Sequence, residues 1–179
     1  RRITELAGVW RHVIASYRRS AGDWQQIASD PVMARMAANI DYQADHFTET
    51  PVVIVACYDD RANLRAARRR YRAHLANLRA AGPRRAVALL RGFGPFRDRS
   101  EAACVYPALQ NLLLAARALG LGATLTTWHL LAEGEVRSIL DIPKDVRTYA
   151  IIPVGWPIGR FGPVVRRAAV EDIARRDRW

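Results

Sequence analysis

The chain has 179 residues, 50% of them hydrophobic, which allows one domain with a real core and is too high for a disordered protein. Its formal net charge is +11, yet Lys144 is the only lysine and the arginines are scattered among Ala and Leu at helical spacing. That pattern reads as solvated helix faces, so nucleic acid is not the expected partner.

No apolar run reaches the ~20 residues needed to span a bilayer, and no membrane partner is expected. The start, Arg1-Arg2-Ile3-Thr4-Glu5, has no apolar signal core and no initiator Met. The true start is therefore expected to have been removed, and the protein is expected in the cytoplasm.

In chain order, Leu6, Val9, Trp10, Val13, Ile14 and Tyr17 recur at spacings of three and four and predict a first helix, broken at Gly22. A second helix is predicted from Pro31 to Phe47, with Met33, Met36, Ile40 and Phe47 on one stripe. Asp30 stands as its N-cap and Pro31 at its first position. Pro51 to Tyr58 is a short β-branched run without alternation, which predicts a strand buried on both faces. Residues 61–81 read as helical, with Arg65, Arg68, Arg69 and Arg72 on a solvated face, and Gly82-Pro83 stops them. Arg84 to Arg99 reads as a loop on account of Gly92, Gly94 and Pro95, with Phe93 and Phe96 exposed or covering something.

Ser100 to Leu119 predicts the strongest helix, apolar nearly all round, and so expected at a domain centre or an obligate interface. Gly120 and Gly122 end it. Ala123 to Trp128 predicts an extended segment, Glu133 to Leu140 a short helix closed by Pro143, and Tyr149 to Gly155 a second buried strand. With no repeat and no linker, residues 1–179 make one α+β domain. Cys57 and Cys104 sit in apolar surroundings without metal-site spacing and are expected to be small, buried and reduced.

Conventional catalytic sets are missing. His12, His46, His74 and His129 stand in no GxSxG or HExxH frame. His129, beside Trp128 at a strand end, is the best placed, and is expected to be passive. Gly120-Leu121-Gly122 precedes a strand, not a helix, so it is no Rossmann phosphate turn. What remains is a Thr-Thr pair after a glycine turn and a Gly/Pro-rich tail with Arg166-Arg167. Threonine hydroxyls suit the rim of a flat heteroaromatic ring, and paired guanidiniums match a phosphate. Arg166 and Arg167 read equally as surface residues.

Three stretches carry a resemblance. Ala102 to Gly122, read as AACVYPALQNLLLAARALGLG, resembles the central helix of nitroreductase-like FMN proteins. Leu125-Thr126-Thr127-Trp128-His129 resembles the LTTWH that follows it in an actinobacterial-looking branch. Ile151 to Pro163, with Ile152-Pro153-Val154-Gly155 and Gly159-Arg160-Phe161-Gly162-Pro163, resembles that branch's IPVGYPxGRFGP element.

The resemblance implies a nitroreductase-like α+β sandwich with a central antiparallel or mixed sheet. It also implies a long buried central helix and an intertwined homodimer with FMN at the interface. It implies an NAD(P)H oxidoreductase that passes electrons in ping-pong order to a small organic acceptor such as a nitro compound or quinone. The alternatives are a non-catalytic flavin-binding or scaffold relative and, behind it, an Arg-rich polyanion-binding module. By the same resemblance, Leu125, Thr126 and Thr127 border the flavin ring. Arg166 or Arg167 meets the phosphate, and Tyr106 and Pro107 lie near the ring. Residues 61–99 fall in a region of variable length.

Two departures stand out. Cys104 replaces the branch's usual Ser. The family's N-terminal segment, with its arginine-rich phosphate motif and S-x-N-x-QPW loop, does not precede Arg1 in this sequence, so half of the phosphate site is expected to be missing.

Overall fold

The computed structural model describes residues 1–20, 29–159 and 168–177. Helix α1 (Arg2–Ser20) buries Leu6, Ala7, Val9, Trp10, Val13 and Ile14, the stripe its periodicity predicts. Helix α2 (Pro31–His46) is capped as expected, since the Met33 amide donates to Asp30 Oδ1 at 2.9 Å. Its buried line is Ala37, Ile40 and Ala44, continued by Phe47 in a 3₁₀ turn (Phe47–Glu49), while Met36 is exposed. Trp10 stacks on Phe47 at 4.9 Å, and an Arg18–Asp41 ion pair ties the two helices.

Strand β1 (Val52–Asp59) leads to two short helices, α3 (Arg61–Arg69) and α4 (Tyr71–Ala80). Helix α5 (Pro83–Ala118) follows, then β2 (Gly122–Ala123) and a 3₁₀ segment (Trp128–Ala132). Helix α6 (Glu133–Leu140), β3 (Val146–Gly155) and α7 (Val170–Ile173) complete the described chain. Among the described residues, β1, β3 and β2 form one antiparallel sheet in that order, with β3 in the middle. Helices α1 and α6 close one face around Ile151, with Val136 and Phe47 in the same core. Helix α5 closes the other face around Ala150, Ile152 and Leu109. This arrangement of helices on both sides of a sheet is the expected α+β sandwich.

Three expectations are corrected. The stretch from Arg84 to Arg99 is helix, not loop: α5 runs unbroken through Gly92, Gly94 and Pro95. Strong helix formers on either side carry it, and Arg97 anchors it to Glu101 and Asp60. Strand β1 is not buried on both faces. It is an edge strand whose Val52 and Ile54 lie beyond the cover of α5, and only Ala56 is buried. Cys57 and Cys104 are free, as expected, but exposed. Cys57 lies toward the C-terminal end of β1, near Glu133 and Arg137 of α6, and Cys104 lines an open hollow with Tyr58 and Phe96.

Helix α5 itself buries one seam, Glu101, Leu109 and Ala116, while Leu114 is 58% and Leu119 72% exposed. Of the two reasons for an all-round apolar helix, the single chain does not supply enclosure at a domain centre. Gly120, at φ +76°, turns the chain out of the helix, a conformation that favours glycine.

Candidate functional site

The site begins with the strand register. Gly122 faces Gly155, Ala123 faces Val154, and Thr126 faces Ile151. The Thr124 amide donates to the Pro153 carbonyl at 3.4 Å. The Thr126 amide donates to the Ile151 carbonyl, and the Ile151 amide returns the bond, both at 2.9 Å. The segment 122–126 is therefore one short strand in continuous register on β3. Alternation puts Gly122, Thr124 and Thr126 on the α1–α2 side and Leu125 on the α5 side.

Over the first of these faces lies a cleft of about 490 Å³, floored by Gly122, Thr124, Pro153 and Gly155 and walled by Tyr42, His46 and Trp156. A second hollow of about 340 Å³ continues it along α2, sharing Tyr42, His46, Thr50, Thr124 and Pro153. Glycine at 155 keeps the floor low: a Cβ there would meet Pro51 Cδ at 3.1 Å and Cγ at 3.2 Å.

Tyr42 and His46, one helical turn apart, stack at 4.2 Å and 23°. His46 Nδ1 meets Glu49 Oε1 at 2.9 Å. An ionised carboxylate only accepts, so Nδ1 carries the proton and Nε2 is left as an acceptor in the neutral ring. Thr126 is buried, and its Oγ1 has no partner among the described residues. An unsatisfied hydroxyl in a core costs free energy, and this one lies on the cleft's side of the sheet, behind the lining to which Thr124 contributes.

On the opposite face the sheet carries a bulge. Ala56 pairs with Ala150 and Cys57 with Thr148, leaving Tyr149 unpaired. The extra residue turns its ring toward α5. Its hydroxyl donates to Glu101 at 2.5 Å, and its carbonyl accepts from the Tyr106 hydroxyl at 3.3 Å. Burial and the bond to Glu101 hold the Tyr149 phenol well above its usual range. Arg147 closes the group with bonds to Asp98 at 2.7 Å and Glu101 at 2.9 Å.

The residues singled out from sequence thus divide. Tyr106 and Leu125 belong to the α5 face, both against the cluster around Tyr149. Thr126 belongs to the cleft face. Thr127 is exposed at the head of the 3₁₀ segment, and Pro107 is exposed on α5. Arg166 and Arg167 lie outside the described residues. His129 is in the core, with no exposed surface, near-parallel to Trp10 at 6.5 Å. Burial pushes its pKa down to about 4, partly offset by Glu133, so the ring is neutral at pH 7.

Sequence reasoning missed Tyr42 and Glu49 and gave His46 no role in the site. The available signal was the i, i+4 aromatic pair in the last turn of α2. Among the described residues no cluster of metal-binding side chains occurs, and no helix is long and apolar enough to cross a membrane.

The nitroreductase family model matches residues 10–156, which takes in the cleft, the sheet and α5. The chain belongs to the nitroreductase family. A curated relative from Methanothermobacter thermautotrophicus, named a putative NADH dehydrogenase/NAD(P)H nitroreductase, is 45% identical over 53 residues. That match covers 28% of this chain and 27% of the relative. In this nitroreductase-family fold, the family match includes Tyr42, His46 and Gly122 to Thr127 and ends before Arg166 and Arg167.

Proposed function

We propose that the chain is an FMN-dependent NAD(P)H oxidoreductase. It passes electrons in ping-pong order to a small organic acceptor, a nitro compound or quinone. Family membership and the partial relative support the oxidoreductase class. The observation that carries the flavin reading is Thr126. Its buried hydroxyl lacks a partner, it lies on the segment that resembles the family's ring border, and the cleft opens one pleat away at Thr124.

The cleft also suits a planar heteroaromatic group by size and lining. Thr126 and Thr124 would hold the polar rim, and the stacked Tyr42–His46 pair would offer a flat wall. Leu125 would shield the α5 side from water. His46, fixed by Glu49, would present Nε2 as an acceptor. Arg166 and Arg167 would meet the phosphate. Held there, a flavin would supply the redox chemistry that takes up a hydride from the nicotinamide and returns its two electrons, with a proton, to the acceptor. Leu114 near the end of α5 and Leu119 just past it, both exposed, support a homodimer in which a second copy covers the C-terminal half of that helix. The free cysteines fit a reducing, cytoplasmic setting.

The test is titration of the protein with FMN, followed by flavin fluorescence. Saturable quenching that weakens in Thr126→Val supports the reading. Free FMN fluorescence throughout the titration overturns it for this chain.

A further inference from the structure

The chain's charge is not spread over the molecule. Residues 61–99 contain twelve arginines and one acidic residue, Asp98. That stretch therefore carries +11 and the remaining residues sum to zero. In the fold it is α3, α4 and the first half of α5, tied to the end of β1 through Arg61, Asn63 and Arg97. Helices α3 and α4 bury no residue and pack on each other and on α5. Arg61 is paired with Asp59 and Asp145, and Arg97 with Asp60, Asp98 and Glu101. The other ten arginines form no ion pair with a described carboxylate.

The same arm carries an apolar stripe. Leu89, Phe93 and Phe96 recur at helical spacing on α5 and are 57%, 62% and 67% exposed. With Arg85 they line an open, mostly apolar groove of about 650 Å³. Leu90 and Tyr71, also exposed, add apolar surface beside them.

We propose that this arm docks on the surface of an anionic phospholipid bilayer, with Leu89, Phe93 and Phe96 entering the acyl boundary and the arginines meeting lipid phosphates. Charge complementarity selects an anionic occupant. A second copy would bring another +11 arm, or a remainder with no net charge to complement it. Guanidinium forks match phosphate oxygens bidentately. Nucleic acid shares that chemistry, but its bases stack on aromatic faces and gain little from aliphatic Leu89 and Leu90. A basic surface carrying an apolar ridge is the pattern of an interfacial element. The absence of a spanning run does not bear on such peripheral contact. The proposal does not depend on the flavin reading.

The test is co-sedimentation of the full chain with vesicles at physiological ionic strength. One set is phosphatidylcholine alone, the other phosphatidylcholine mixed with phosphatidylglycerol. Binding is expected to the mixed vesicles only. Each arginine near such a surface contributes roughly fivefold to partitioning, so Arg84→Gln/Arg85→Gln/Arg91→Gln should weaken it about a hundredfold. Phe93→Ser/Phe96→Ser should weaken it roughly tenfold. All the substituted residues are exposed, and unchanged circular-dichroism melts would confirm the fold.

Any of the following results would overturn the proposal. One is failure to sediment with mixed vesicles. Another is undiminished binding by the phenylalanine variant, which means charge attraction alone. The third is duplex DNA or single-stranded RNA stripping the protein from vesicles, or the phenylalanine variant dissociating an oligomer while vesicle binding persists. Those outcomes assign the face to nucleic acid or to a second copy.

Discussion

His129 gives the sharpest stability prediction. Its ring is fully enclosed, and neither ring nitrogen has a hydrogen-bond partner among the described residues. Its pKa in the folded chain is about 4, against 6.5 for a free imidazole. As pH falls below 6.5 the unfolded chain takes up a proton that the folded chain refuses. Stability therefore falls with pH across that window and levels below about 4. At about 1.4 kcal/mol per unit, the full loss is roughly 3 kcal/mol, of which about 2.5 is reached by pH 4.5. Glu133 and Asp59 have lowered pKa values, so their losses come mainly below pH 4.5.

Substituting His129→Phe keeps the ring packed on Trp10 and removes the titration. Nothing is orphaned, because neither nitrogen was bonded. Urea unfolding followed by tryptophan fluorescence from pH 7 to 4.5 reads the difference. The native chain should lose about 2.5 kcal/mol more than the variant. Parallel curves for the two proteins would refute the buried, neutral histidine.

Other substitutions probe the site. Thr126→Val should leave the melting temperature unchanged or raise it, since Oγ1 has no protein partner, while FMN affinity falls about fivefold, one hydrogen bond's worth. A Cβ at 155 meets the Pro51 ring, so Gly155→Ala should cost about 1–3 kcal/mol by thermal denaturation and weaken FMN binding as the floor rises. Tyr149→Phe removes the 2.5 Å bond to the buried Glu101 carboxylate and should destabilise by about 1.5–3 kcal/mol, read from urea midpoints. No change in that variant would mean water replaces the phenol.

Much of the fold was legible because it is written in local pattern. The α1 stripe from Leu6 to Ile14 and the Asp30 cap need no tertiary information. The middle strand was legible because β3 has helices on both sides, and burial on both faces removes alternation. The same signature misled at β1, where an edge position leaves Val52 and Ile54 exposed. Local pattern shortens helix α5 because Gly92, Gly94 and Pro95 are breakers locally. Their cost is outweighed by formers on both sides and by Arg97 and Glu101, whose contacts are long-range or depend on the helix already existing.

At the site, resemblance pointed to Leu125–Thr127, but sheet alternation separates Leu125 from Thr126. That separation follows from register with β3, which no local pattern encodes. Tyr42 and His46 reach the cleft because the end of α2 lies across it from β2, again a tertiary fact. Tyr149 owes its direction to a one-residue bulge, visible only once β1 and β3 are paired.

In the proposed function, a flavin held at the Thr124–Thr126 strand and the Tyr42–His46 cleft mediates electron transfer. Anaerobic addition of NADH or NADPH to the FMN-loaded protein tests it most directly, by the visible flavin absorbance. Bleaching by at least one nicotinamide and recovery of the flavin band on adding a quinone are expected. Bound FMN that neither nicotinamide bleaches would contradict it.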